Sequence, residues 1–246
     1  MNIKKTYSSN RFSISNYFKK FSLIRWIFFV AFFFFLISFG LLINKIVTSL
    51  QINAYFDTPW TVIDKFTWQS NMLLLIFTFF FVFLPKHQFL RTDTFLISTL
   101  SYIFFTFVGY NLILTFVNGG YPTNPYECFV SIWTHLICPL IFIACGITKF
   151  IVYSKYTKLR SFWKTLFFGM LYPTIYVIYL STVPFIFNTN SNEAYTLYGK
   201  VTDTKNNPQL SWPVIAAMYF AFFPGTFAGF YFLAKKLKTR ISKRRI

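Results

Sequence analysis

The chain has 246 residues and 55% hydrophobic content, with 37 Phe, 16 Tyr and 24 Lys or Arg against six acids; its apolar residues come in blocks too long for a soluble core. The formal net charge of +18 would suit nucleic acid, whose phosphates Lys and Arg neutralise, but the placement of the charges excludes that partner. Twenty of the 24 basic residues fall in the segment ending at Arg25, in 86–91, in 149–164 and from Lys235 onward, with a single acid, Asp93, beside the second of them.

Six segments approach the about 20 apolar residues that a helix needs to cross the hydrocarbon core of a bilayer. They are 26–46, 66–84, 94–117, 128–151, 164–187 and 212–234. With six crossings the four basic segments share one side, and the other five acids, Asp57, Asp64, Glu127, Glu193 and Asp203, lie in the alternate connections. Lys and Arg are retained on the cytoplasmic side during insertion, so the pattern predicts an all-α, polytopic plasma-membrane helix bundle with both termini in the cytoplasm. Three parts follow: a basic cytoplasmic segment 1–25, a transmembrane domain 26–234 and a basic cytoplasmic tail 235–246. The basic flanks favour anionic lipid headgroups at the cytoplasmic face.

The first hydrophobic block is long and aromatic and lacks a small-residue cleavage site, so it reads as an anchor rather than a signal peptide. The second opens with Phe66-Thr67-Trp68-Gln69-Ser70-Asn71, unusually polar for a spanning helix. Thr67, Ser70 and Asn71 stand at i, i+3 and i+4 and can share one face. The third carries Tyr110-Asn111 near the same outer side. The fourth holds Thr134 and His135, and also Cys128, Cys138 and Cys145. Cys138 and Cys145 are about 10 Å apart along a helix axis, too far for a disulfide. The fifth contains Tyr172-Pro173, a kink whose freed carbonyl needs a partner. The outward connections 51–65, 118–127 and 188–211 are polar and turn-rich, and the last is the longest.

Polar groups in hydrocarbon are costly unless paired, which makes the few intramembrane ones the place to look for chemistry. His135 is a base available at neutral pH. A hydroxyl nucleophile needs a neighbouring base, and Thr67 lies at a compatible depth, so Thr67 with His135 is the smallest plausible acyl-transfer unit. Asn71, Asn111, Gln69 and Ser70 could orient the pair or donate to an oxyanion. Cys138 stands at i+3 from His135, on the same helix, where the two cannot embrace a substrate. Two histidines in all make no zinc site, no phosphate-cradling or dinucleotide motif is present, and no cofactor is expected. No carboxylate lies deep in a span, which removes the usual ion relay of a coupled transporter. The same polar cluster could instead join helices in a noncatalytic transporter or interaction scaffold.

FTWQSN at 66–71, YNLILTF at 110–116, WTHLICP at 133–139 and Tyr172-Pro173 together resemble the androgen-induced and androgen-dependent TFPI-regulating proteins and their multi-span bacterial relatives, wall-less ones included. The likeness covers approximately residues 26–234. It implies an intramembrane hydrolase of fatty-acid esters, with Thr67 matching the family's nucleophile and His135, followed by Pro139, its partner. The Gln-Ser-Asn that follows Thr67 differs from the animal motif.

Overall fold

The structure, a computed structural model, describes residues 17–19, 21–51, 59–114, 120–188 and 194–243. Most of the basic segment 1–25, parts of the connections 51–65, 118–127 and 188–211, the end of the third expected span and the last three residues lie outside the described residues.

Six long helices account for the bundle. They are α1 (Leu23–Gln51), α2 (Phe66–Phe83), α3 (Thr94–Val108), α4 (Pro125–Ile132 and Cys138–Val152), α5 (Phe162–Ile186) and α6 (Pro208–Ala216 and Phe223–Lys243). Wide π-helical turns prolong α3 (Gly109–Leu114) and join the halves of α4 (Trp133–Ile137) and of α6 (Ala217–Phe222). All six helices are long and apolar enough to cross a membrane, and no strand occurs among the described residues. The chain is an all-α, multi-span membrane protein. Four helices, α1, α4, α5 and α6, start earlier than their hydropathy suggests. In α4 the Asn124 side chain accepts from the Tyr126 and Glu127 amides at 3.0 and 3.2 Å, with Pro125 at the first helical position, a cap built from polar residues. Helix α6 likewise begins at Pro208. It also runs on through the basic tail to Lys243, since nothing after Gly229 breaks a helix.

Helix α3 is central and touches α2, α4, α5 and α6. Its Ser98, Thr99 and Ser101 hydroxyls each donate to the carbonyl four residues earlier, at 2.9–3.0 Å. These side chains are thereby satisfied within their own helix and small enough for neighbours to pack closely. Helix α1 presents Ile24, Phe28, Ala31, Phe35, Ser38 and Leu42 inward, a stripe spaced alternately four and three residues apart, while Val30, Phe33 and Ile37 point outward.

In α5, Pro173 cannot donate to the Gly169 carbonyl. The Tyr102 hydroxyl from α3 donates to it instead, which supplies the partner that the kink requires. A Cβ at Gly169 would fall inside the ring of Phe227 on α6, and Phe227 is fully buried and cannot swing away. Gly169→Ala should therefore cost about 1–3 kcal/mol by overpacking, read as a lowered thermal midpoint of the detergent-solubilised protein. An unchanged midpoint would mean that α5 and α6 separate freely there.

The end of the bundle where α1 starts is tied by charge. Arg25 Nε donates to the Val82 carbonyl at 2.7 Å, capping the C-terminus of α2. The Arg25 guanidinium also donates to the Tyr17 hydroxyl at 2.9 Å. Lys149 of α4 pairs with Asp93 at the start of α3, with side-chain exposures of only 8% and 12%. Asp93 Oδ2 accepts from the Lys158 amide at 2.9 Å. At the opposite end, Lys45 Nζ meets Glu127 Oε1 at 2.6 Å.

Candidate functional site

Helix α2 opens at Lys65 without a side-chain cap, so its first amides need partners from elsewhere. The Phe66 amide donates to both the Tyr176 and the Tyr198 hydroxyls, at 3.0 and 2.9 Å. This fixes the helix end and presents the next residue, Thr67, toward α4. There Thr67 Oγ1 stands 3.0 Å from His135 Nε2.

The geometry of α4 explains why His135 can be held so. Pro139 has no amide hydrogen for the His135 carbonyl four residues earlier, and the Cys138 amide is drawn to the Trp133 carbonyl by the π turn. The carbonyls of Thr134 and His135 both lose their ordinary helical partners. Asn71 Nδ2 donates to Thr134 O at 3.1 Å, and Asn111 Nδ2 to His135 O at 2.9 Å. The two asparagines, one from α2 and one from α3, thus clamp the His135 turn from two sides. The second hydrogen of each amide is also used, on Thr67 O at 2.8 Å and Phe107 O at 2.9 Å. Asn111 Oδ1 accepts from the Tyr121 hydroxyl.

The tautomer of His135 follows from its neighbours. Nδ1 lies 2.9 Å from the Ser131 carbonyl, which can only accept, and 3.1 Å from Thr134 Oγ1. The Thr134 hydroxyl already donates to Val130 O at 2.8 Å. Nδ1 therefore carries the proton, and Nε2 offers its lone pair to the Thr67 hydroxyl. The ring of Tyr110 stacks on the imidazole, with centroids 3.6 Å apart and planes 18° off parallel. That π face would steady a positive charge forming on the ring.

The other expected site residues divide between faces. Ser70 is buried and pairs with Thr106 Oγ1 of α3 at 2.7 Å, away from His135. Gln69 accepts from the Tyr172 hydroxyl at 2.6 Å and donates to Ile63 O at 3.0 Å. The amide hydrogens of Asn71 and Asn111 are directed at carbonyls. Tyr176 and Tyr198, which the sequence does not single out, both line the cavity against Thr67, and their hydroxyls are 3.2 Å apart. One phenol can donate to the other, leaving one O–H to be offered to a guest. Ser131 at i−4 from His135 is the one further residue that spacing could have found. The cavity holds about 100 Å³ and is walled by apolar groups including Phe105, Leu180, Ile215 and Met218.

Asn111→Leu removes one clamp and leaves buried carbonyls unpaired. It should lower stability by about 1–3 kcal/mol, measured by denaturant unfolding in detergent, whereas a change within error would show that water replaces the amide.

Similarity to known proteins extends over nearly the whole chain. The "Uncharacterized protein MG452 homolog" of Mycoplasma pneumoniae is 35% identical over 237 residues, 94% of this chain and 93% of that protein. "Uncharacterized protein MG452" of Mycoplasma genitalium is 40% identical over 208 residues, 82% of this chain and 77% of that protein. "Uncharacterized protein MG133" of the same species is 26% identical over 190 residues, 65% and 72% of the two chains. A family model described as "Protein of unknown function (DUF1600)" matches residues 128–240, which include His135 and all of α5. No solved structure matches the chain.

Proposed function

The chain belongs to the family of the mycoplasma MG452 proteins, and we propose, from the geometry at Thr67, that it is an intramembrane hydrolase of fatty-acid esters, with Thr67 as nucleophile and His135 as base. The observation that carries this reading is the 3.0 Å contact between Thr67 Oγ1 and a His135 Nε2 left free to accept. The resemblance of 66–71 and 133–139 to the androgen-dependent TFPI-regulating proteins supports the same two residues.

In this mechanism Thr67 Oγ attacks the acyl carbonyl as Nε2 takes its proton, giving a tetrahedral oxyanion and an imidazolium. Collapse breaks the bond to the leaving alcohol, which receives the proton from Nε2, and the acyl group remains on Thr67. Water then attacks the acyl-threonine with Nε2 again as base, and release of the fatty acid returns the hydroxyl its proton. The free phenol O–H of the Tyr176–Tyr198 pair is the donor best placed for the oxyanion. Asn71 and Asn111 act by holding the His135 turn, and Ser70 and Gln69 by fixing α2 against its neighbours. A carbonyl rather than a carboxylate backs the imidazole, so the base is modest and turnover slow. The chemistry needs no cofactor.

We further infer that the basic end faces the cytoplasm, against anionic headgroups of the plasma membrane, and that the ester enters from the outer leaflet. One observation favours a second reading, in which the cluster only joins helices. The cavity at Thr67 is about 100 Å³, below the about 300–1,000 Å³ usual for small-molecule sites, so a substrate must part α2 from α6. Incubating the purified protein in lipid nanodiscs with a panel of fatty-acid esters decides between the two. Release of fatty acid and an acyl adduct on the Thr67 peptide are expected, and no release from any ester would leave the helix-joining role.

A further inference from the structure

Tyr176 borders two cavities, and the second, about 650 Å³, is large enough for an organic ligand. Its lining is aromatic, from Trp60, Tyr172, Tyr176, Tyr179 and Tyr195, and it contains one acid, Asp64. Nothing in the chemistry at Thr67 uses Asp64. The carboxylate is nevertheless buried, with 8% exposure. Its Oδ2 accepts from the Tyr179 and Tyr195 hydroxyls at 3.0 and 2.7 Å, while Oδ1 is buried with no hydrogen-bond partner among the described residues.

Burying a carboxylate with one oxygen unpartnered is costly unless a charge comes to meet it. Lys65, the next residue, is exposed rather than folded into the cavity. A hard metal ion would ask for several oxygen ligands where one carboxylate stands among rings. Walls made mostly of ring faces, Ile63, Ile175 and Phe187 offer few acceptors to the three N–H groups of a primary ammonium. A quaternary ammonium brings none: its methyl groups bury against apolar walls, and its charge is met by the ring faces and the carboxylate.

We propose that this cavity binds a quaternary ammonium group, held by Asp64 within the cage of Trp60 and the four tyrosines and carried by a lipid headgroup or by a free solute. Trp60 lies on the short helix Pro59–Ile63 and is 71% exposed, so it forms the rim over which the ligand passes. Desolvation pushes the Asp64 carboxyl above the usual carboxylate range, against the opposing hydrogen bonds from Tyr195 and Tyr179 and the charge of Lys65. A bound cation favours the ionised form, so affinity rises as pH rises through the carboxyl's range. Tyr179, Tyr195 and Lys65 are the titratable and charged groups that face it.

The test is calorimetric titration of choline, and of its neutral isostere with carbon in place of nitrogen, into the full-length protein in phosphatidylglycerol nanodiscs. Choline should bind at least about ten-fold more tightly than the isostere. Asp64→Asn keeps the side-chain shape and should erase that preference and its pH dependence. Trp60→Ala, at an exposed position that folding does not need, should weaken choline several-fold, and Thr67→Ala should leave binding unchanged, which separates this site from hydrolysis. Equal binding of choline and isostere, or no choline binding by the folded protein, overturns the proposal. In phosphatidylcholine nanodiscs, loss of choline binding assigns the site to a lipid headgroup, and unaltered binding assigns it to a free solute.

Discussion

Thr67→Ala should lower the proposed ester turnover by about a thousand-fold or more, the scale on which nucleophile removal acts in hydroxyl-dependent hydrolases. His135→Ala should do the same. The two losses do not add, because Thr67 without its base and the base without Thr67 fail at the same step. The pair lies in one contact at 3.0 Å, and the proton on Nδ1 is held by Ser131 O at 2.9 Å, so His135→Gln should be as inactive as His135→Ala while filling more of its space. Thr67→Ser keeps a hydroxyl and should retain part of the rate. These outcomes require kcat on the best ester of the panel, with gel filtration to show that each variant is folded. Turnover within ten-fold of wild type in Thr67→Ala would end the mechanism, whatever His135→Ala does.

Asp93→Ala has the largest expected effect on stability. Lys149 and Asp93 are both nearly enclosed, and Asp93 further ties the start of α3 to the connection after α4, its amide donating to the Lys158 carbonyl and its Oδ2 accepting from the Lys158 amide, both at 2.9 Å. Removing one partner of a buried pair leaves the other charged and uncompensated, at a cost of about 3–5 kcal/mol. Asp93→Ala with Lys149→Met removes both charges and should recover much of the loss. Thermal unfolding of wild type, single and double variants in one detergent supplies the comparison. A double variant no better than the single would assign the effect to the lost Lys158 contacts rather than to the stranded ammonium.

The architecture was legible because hydrophobic blocks and their basic flanks are local signals. The six spans need only their own residues to be seen, and they emerge within about five positions of the observed helices, except that α6 runs on to Lys243. The Thr67–His135 contact was legible for a related reason: few polar groups occur in the spans, and those at matching depth have few partners to choose from. Other features depend on three-dimensional accidents of backbone. The roles of Asn71 and Asn111 follow from carbonyls orphaned by Pro139 and by the shifted Cys138 amide, and nothing in residue spacing shows that a turn of α4 will widen. Tyr176 and Tyr198 reach the start of α2 from 110 and 132 residues away, beyond any local pattern. Asp64 read as one of the acids that mark an outward connection, and only the fold shows it enclosed by Tyr179 and Tyr195.

The widened turns have a consequence for how such a chain can change. A π-helical turn holds one residue more than the α-helical turn it replaces, so it stands in a helix as the trace of a single inserted amino acid. Deleting one residue between Trp133 and Ile137 would close that bulge into an α-helical turn and leave Pro125–Ile132 in phase with Cys138–Val152, whereas the same deletion in a regular stretch of helix would rotate one half by about 100° against the other. Three of the six helices carry such a turn, all toward the end that holds Thr67 and His135. Each of those turns can take up or give back one residue, so the half-bundle around the Thr–His pair can change length by one residue without disturbing how the basic half is wound.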